Sequence, residues 1–164
     1  TVNFSFAAPA PAFATLIESN QREQAAQALY SGIRTARSEA IVRNQAVVIH
    51  GINGDWSQGW RIILDVSGKG YEDSDNPVLI ERQSGIGAPI VGNTHVTTSI
   101  RFTGLGRPAS RGFQNGTLHV CAISEPVSQH QVVLASNGRV SLRSDKTAQT
   151  LCVGGEDSEK GADA

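Results

Sequence analysis

Cysteine is scarce in this sequence, and its two copies, Cys121 and Cys152, belong to no Cys-x-x-Cys pair. No histidine stands beside either cysteine at zinc-ligand spacing, which argues against a structural zinc site. The His-Glu-x-x-His and Gly-x-Ser-x-Gly motifs of metalloproteases and α/β-hydrolases are also missing. We therefore expect no metal, no cofactor and no catalytic residue. The histidines stand singly, in strand-like or loop contexts, at His50, His95, His119 and His130.

The sequence also lacks a strong charge of either sign. Its formal net charge is −1, 18% of its residues are charged and 39% are hydrophobic, which is typical of a folded domain rather than a disordered chain. At 164 residues it fits one domain. Basic charge is concentrated late in the chain, where six basic residues face two acidic ones between Arg101 and Lys146.

Charge is absent from Phe4 to Ile17, and this stretch is too short and too rich in proline to cross a bilayer. We expect residues 1–10 to be either the remnant of a longer apolar helix or a cloning scar. We expect the folded domain to follow this stretch, over residues 11–153. Residues 154–164 are expected to form a disordered tail.

The stretch from 11 to 44 is rich in Ala, Gln, Glu and Arg and predicts one long helix. Leu29, Ile33, Ala36 and Ala40 follow one another at steps of three and four residues, so we expect this stripe to pack against a sheet. The opposite, polar face is expected to be solvated. It carries Arg22, Glu23, Arg34, Arg37, Glu39 and Arg43.

From about residue 45 to 153 the pattern changes to short apolar runs bounded by Gly, Pro, Asn or Ser, which predicts antiparallel strands. Asn53-Gly54 gives a turn signal, and Asn137-Gly138 predicts a type I′ hairpin with positive φ at both central residues. One long helix followed by antiparallel strands is an α+β domain. The runs are "QAVVIHG", "GWRIILDV", "NPVLIER", "VTTSIRF", "TLHVCAI", "QVVLAS" and "RVSLRS".

Both cysteines follow or lie in strand-like runs, "TLHVCAI" and "TLCVG". Pairing between neighbouring strands would join Cys121 to Cys152, and we predict this disulfide together with an oxidising compartment. The alternative is two free, buried cysteines that act as small hydrophobic residues.

An acidic loop, "DVSGKGYEDSDN", extends from Asp65 to Asn76. Its carboxylates are of the type that bind Ca²⁺, but the spacing is not that of an EF-hand, because no glutamate closes a twelve-residue loop. We favour an ordinary solvated turn.

Several blocks together carry a resemblance to type IV pilin-like proteins. The chain resembles the GspH/FimT family and is most similar to its FimU-type minor pilins. The resemblance covers nearly the whole chain, and the combination of blocks is more specific than any one of them. The blocks are "ARSEAIVRNQAVVI", "WSQGWRIILDV", "IRFTGLGRP", "GTLHVCA" and "VVLASNGRVSL" followed by a cysteine.

This resemblance implies a type IV pilin-like fold, in which a long N-terminal helix packs on an antiparallel sheet. It implies a minor pilin that takes part in pilus priming and assembly with other minor pilins and the major pilin. It also implies an apolar segment, absent from this chain, that anchors the protein in the inner membrane, with the folded domain in the periplasm and later in the pilus. The helix start around Glu18, Arg22 and Glu23 is then expected to be exposed and to contact neighbouring subunits.

Two alternatives remain open. A minor pseudopilin of a type II secretion system shares the fold. A pilus-associated DNA receptor would use Arg139, Arg143 and Lys146, whose basic groups follow the Asn137-Gly138 turn. Asp145 interrupts this basic run and no aromatic residue is interleaved for base stacking, so a solvated hairpin face is the simpler interpretation.

Overall fold

The computed structural model describes residues 11–84, 88–109 and 112–152 and contains one long helix and nine strands within them. Predictions for residues 1–10 and 154–164 lie outside the described residues. The helix is α1 (Pro11–Arg43). The strands are β1 (Val47–Ile52), β2 (Asp55–Leu64), β3 (Val78–Gln83), β4 (Ile90–Gly92), β5 (Ser99–Phe102), β6 (Asn115–Cys121), β7 (Val127–Ala135), β8 (Val140–Arg143) and β9 (Thr147–Ala148).

The end of α1 explains how the helix passes directly into β1. Asn44 adopts a left-handed conformation with a φ of 50°. Its N–H donates to the carbonyl of Ile41, and the N–H of Gln45 donates to the carbonyl of Ala40, both at 3.2 Å. This pair of hydrogen bonds is a Schellman motif, which satisfies the last carbonyls of a helix and turns the chain. Strand β1 begins three residues later.

The strands form two antiparallel sheets, and the α+β class is as predicted. The first sheet has the order β3-β2-β1-β5, and the second has the order β4-β6-β7-β8, with β9 also paired to β7. The sequence predicted a single sheet. Ser57 of β2 joins the two sheets, because its hydroxyl accepts the N–H of Ile90 at 2.8 Å and donates to the carbonyl of the same residue at 3.2 Å.

The core lies between α1 and both sheets. The side chains of the apolar stripe on α1 are buried, with Leu29, Ile33, Ala36 and Ala40 each at most 1% exposed. They contact strands of the first sheet and of the second. A single helix stripe therefore holds the two sheets together.

The two Asn-Gly turns differ. Asn53 and Gly54 have φ values of 56° and 75°, as a type I′ turn requires, and they connect β1 to β2 directly. At the second turn only Gly138 has a positive φ, of 91°, so the prediction of type I′ there is wrong. The N–H of Gly138 donates to the carbonyl of Ala135 at 2.9 Å. This is a hydrogen-bonded turn that ends in a left-handed glycine, in a loop longer than two residues.

No helix in residues 11–84, 88–109 and 112–152 combines the length and apolarity needed to cross a bilayer.

Candidate assembly surface

The first turns of α1 extend beyond the sheets. From Ala12 to Asn20 every residue is exposed except Glu18, which is half-buried. The first fully buried side chain on the helix is Ala26. About 14 residues separate Ala12 from that point, or roughly 20 Å of helix at 1.5 Å per residue. This segment therefore has little support from its own domain.

Three large apolar side chains lie on this projecting segment. Phe13 and Leu16 are each 55% exposed, and Ile17 is 43% exposed. At about 100° per residue they share one side of the helix, roughly opposite to the buried stripe of Leu29 and Ile33. We call Phe13, Leu16 and Ile17 the outward stripe. The helix thus has one apolar face near its start, the outward stripe, and another further along, the buried stripe. Only the buried stripe is covered by the sheets of the same domain.

The charged residues expected to contact other subunits differ in exposure. Glu23 is exposed, whereas Glu18 and Arg22 are half-buried. The Nε atom of Arg22 is buried and has no hydrogen-bond partner among the described residues. Glu18 and Arg22 therefore both depart from the expected exposure, and for Arg22 the reason is its position near His130 of the second sheet. There it acts with Glu23 on His130 of β7: burial lowers the pKa of His130, while Glu23 raises it and Arg22 lowers it.

A groove of mixed polar and apolar lining runs between the same helix and the first sheet. One part of it has a volume of about 270 Å³. Gln21 and Gln24 of α1 form one wall, and Arg82 and Gln83 of β3 form the other. The outward stripe lies on a helix segment, residues 12–25, whose other large side chains are polar. Such a pattern suits a contact with another protein, where polar residues surround an apolar centre.

The opposite end of α1 is fixed to two loops by Arg37. Its Nε donates to the carbonyl of Gly106 at 2.8 Å. Gly138 lies against the same carbonyl, where a β-carbon would not fit. The sequence placed Arg37 on a solvated face, and the structure corrects this: Arg37 is half-buried and structural. No local pattern indicated the contact, because 69 residues separate the two partners.

The candidate DNA-binding residues lie in the turn that contains Gly138 and in the chain that follows it. Arg139 is in the turn before β8, Arg143 ends β8, and Lys146 precedes β9. All three are exposed. Asp145, also exposed, stands between Arg143 and Lys146.

Cys121 and Cys152 form a disulfide with a Cα–Cα distance of 5.4 Å, as predicted. Cys121 is the last residue of β6. Cys152 lies in a 3₁₀ turn, Thr150–Cys152, rather than in the strand that its apolar context suggested. The bond holds the 3₁₀ turn at Cys152 against the end of β6 in the second sheet.

The acidic loop is organised around Asp65. The side chain of Asp65 is fully buried, and its Oδ1 accepts the N–H groups of Gly68 and Gly70 at 3.0 Å. Arg101 Nε lies 3.2 Å from Oδ2. Among the described residues no group of three His, Cys, Asp or Glu side chains is placed to hold a metal ion.

Comparison with known proteins gives one family and one fold. The family model described as type II transport protein GspH matches residues 25–154. Two crystal forms of the Pseudomonas aeruginosa (strain PAO1) type IV minor pilin FimU are similar in structure. The P21 form has a TM-score of 0.65 at 20% identity and covers 82% of this chain and 98% of that one. The P65 form has a TM-score of 0.62 at 19% identity, with 78% and 98% covered. No curated protein matches the chain.

Proposed function

Because this chain belongs to the GspH family of pilin-like proteins, we propose that it is a minor pilin, a structural subunit that takes part in priming and assembling a type IV pilus. The observation that carries the proposal is the outward stripe of Phe13, Leu16 and Ile17. These side chains are about half exposed on a helix segment that the domain itself does not cover. The protein acts through contacts with other subunits rather than through catalysis.

The contact is driven mainly by burial of the outward stripe. Complete burial of a Leu, Ile or Phe side chain contributes about 1.5–3 kcal/mol, and roughly half of each remains to be buried here. The charged and polar residues of the same helix segment, Glu18, Glu23 and Gln24, then favour particular partners over others. Charges at the rim of an interface affect specificity and encounter rate more than affinity.

The partners are other minor pilins and the major pilin. An apolar segment before the described helix would hold the protein in the inner membrane, with the folded domain in the periplasm until assembly places it in the pilus. The disulfide between Cys121 and Cys152 supports an oxidising compartment of this kind.

Fewer observations support the two alternative functions. A minor pseudopilin of a type II secretion system would use the same helix and the same fold, so it differs in partners and not in mechanism. DNA binding would use Arg139, Arg143 and Lys146. These residues are exposed, but Asp145 adjoins them, and a single-stranded nucleic acid site would be expected to include stacking aromatic residues.

Co-purification tests the proposal directly. The full-length protein, extracted from the membrane in mild detergent, should carry other pilin subunits with it. Leu16→Glu should reduce their recovery, because it places a charge in the contact. The matched control is Val66→Glu, at a position that is 65% exposed in the loop after β2. Equal recovery with Leu16→Glu and the parent would contradict the proposal, and recovery of secretion-system subunits instead of pilins would favour the pseudopilin.

A further inference from the structure

The residues between β8 and the disulfide form a strap, Ser144–Cys152, that lies along the second sheet. Within the strap, β9 pairs with β7 through Val127–Ala148 and Ser128–Thr147. The N–H of Gln149 donates to the carbonyl of Pro126 at 2.7 Å. One end continues from β8, and the other is held by the disulfide to Cys121. Opening of the strap is therefore limited to the residues between two fixed points.

A buried set of polar side chains holds the middle of the strap. Gln131 of β7 is 7% exposed. Its Nε2 donates to the carbonyl of Asp145 at 2.7 Å and to Oγ of Ser128 at 2.7 Å. Ser128 is fully buried, and its hydroxyl donates to the carbonyl of His130 at 3.3 Å. The Ser128 oxygen is thus left to accept from its other neighbour, His119.

The hydrogen bonds assign one tautomer to His119. Oε1 of Gln149 accepts the N–H of Leu151 at 3.2 Å, which directs the Gln149 amide nitrogen toward Nε2 of His119, also at 3.2 Å. That amide nitrogen can only donate, so His119 Nε2 is the acceptor. The hydrogen then lies on Nδ1, which donates to Oγ of Ser128 at 2.9 Å. The contact with Gln149 therefore requires a neutral imidazole, whereas the hydrogen bond from Nδ1 to Ser128 would persist in the protonated ring.

The surroundings of His119 favour the neutral form. The ring belongs to a residue only 8% exposed, and burial lowers its pKa below the ordinary value of 6.5. His130, the next histidine along the sheet, lies near Glu23 and Arg22 of α1, and its Nδ1 is 3.0 Å from Oγ of Ser144 at the start of the strap. The charged residues on neighbouring elements are all exposed: Glu125, Arg143, Asp145 and Lys146.

We propose that His119 is a pH-sensitive latch, whose protonation releases the strap from the second sheet while the rest of the domain stays folded. Protonation would place an N–H on Nε2 directly against the amide N–H₂ of Gln149. Rotating that amide would relieve the clash of donors but would leave the N–H of Leu151 without its acceptor. The strap is therefore the part of the chain that opens when the pH falls. This inference does not depend on the role in a pilus.

Hydrogen exchange measures the opening of the strap. The reporters are the backbone amides of Asp145, Gln149 and Leu151, with Ile49 and Ile62 in the first sheet as internal references. An open strap would give His119 an ordinary pKa near 6.5. Protection of the strap amides should then fall, by at most about tenfold, between pH 7.5 and 5.5, after correction for intrinsic rates. The reference amides should lose protection only to the extent that the free energy of global unfolding falls over the same pH range, which urea unfolding measures.

Two variants test whether His119 causes this change. Gln149→Glu replaces the donor with a carboxylate, so protonated His119 gains a partner and strap protection should be higher at pH 5.5 than at pH 7.5. His50→Gln, a matched control in the first sheet, should leave the parental response of the strap unchanged. An unaltered response in Gln149→Glu would overturn the proposal. So would strap protection in the parent that is the same at both pH values, or a pH response that His130→Gln abolishes.

Discussion

The indole of Trp60 fills the space that a side chain at Gly32 would occupy. A β-carbon at position 32 would lie 2.6 Å from Cζ2 of the ring and 2.8 Å from Cε2. The absence of a side chain in the middle of α1 thus lets the helix approach β2 closely. Trp60 is only 8% exposed in this position, and the close approach is what places the buried stripe of α1 within reach of the sheets.

Gly32→Ala should destabilise the domain. Alanine raises helix propensity by about 1 kcal/mol, but overpacking a core costs about 1–3 kcal/mol, so we expect a net loss of about 1 kcal/mol in urea unfolding. Ser31→Ala, at the exposed neighbouring position, is the matched control and should leave stability equal or slightly higher. A Gly32→Ala variant at least as stable as the parent would show that Trp60 can move aside without cost.

Removal of the disulfide should weaken the fold without changing it. The bond spans a sequence separation of 31 residues, for which the chain-entropy model gives about 3–4 kcal/mol. The double variant Cys121→Ala, Cys152→Ala should unfold at correspondingly lower urea concentration. Titration of the denatured, unreduced parent should find no free thiol. Two reactive thiols per chain would contradict the assignment.

Stability should fall when the pH is lowered from 7.5 to 5.5. Burial lowers the pKa of His50, His119 and His130 in the folded protein. The unfolded chain then binds more protons below pH 6.5, so the free energy of unfolding decreases as the pH falls through this value. Urea unfolding at the two pH values measures the difference.

Two carboxylates, Asp73 and Glu81, also have lowered pKa values, so they titrate below this pH range. The main cause for Asp73 is the hydrogen bond from the N–H of Asp75, and the main cause for Glu81 is the hydrogen bond from Arg61. Stability equal or greater at pH 5.5 would contradict the buried, neutral state of these histidines.

Sequence patterns captured the features that depend on neighbouring residues. The long helix, its buried stripe and the Asn53-Gly54 hairpin follow from periodicity and turn chemistry, which act over a few residues. The strands β4 and β9 were missed because three and two residues are too few to show alternation. The division into two sheets was missed because strand pairing joins residues far apart in the chain, which no local pattern reports.

The same distinction applies to the candidate surface. An uncharged helix start was visible in the sequence, but its projection beyond the sheets depends on where the strands end. Arg37 and Arg22 read as solvated charges, since nothing local to either residue reports the loop or strand that packs against it. Their burial is a property of tertiary contacts alone.

Charge reversal should separate assembly from folding. In the full-length protein, Glu18→Lys combined with Glu23→Lys should lower pilus assembly, because both carboxylates lie on the projecting helix segment that carries the outward stripe. The melting temperature of the folded domain should stay nearly unchanged. Arg22→Glu should instead lower the melting temperature, since its Nε is buried against the second sheet. Normal piliation with both glutamates reversed would show that these carboxylates are not part of the contact surface.

The most direct measurement counts pili on cells whose only copy of this protein is the full-length Leu16→Glu, Ile17→Glu variant. We predict few or no pili, with a normal amount of protein and a melting temperature close to that of the parent. Cells with the exposed-loop control Val66→Glu should be fully piliated. Normal piliation with the doubly charged helix would contradict the claim that the outward stripe of α1 is the assembly surface.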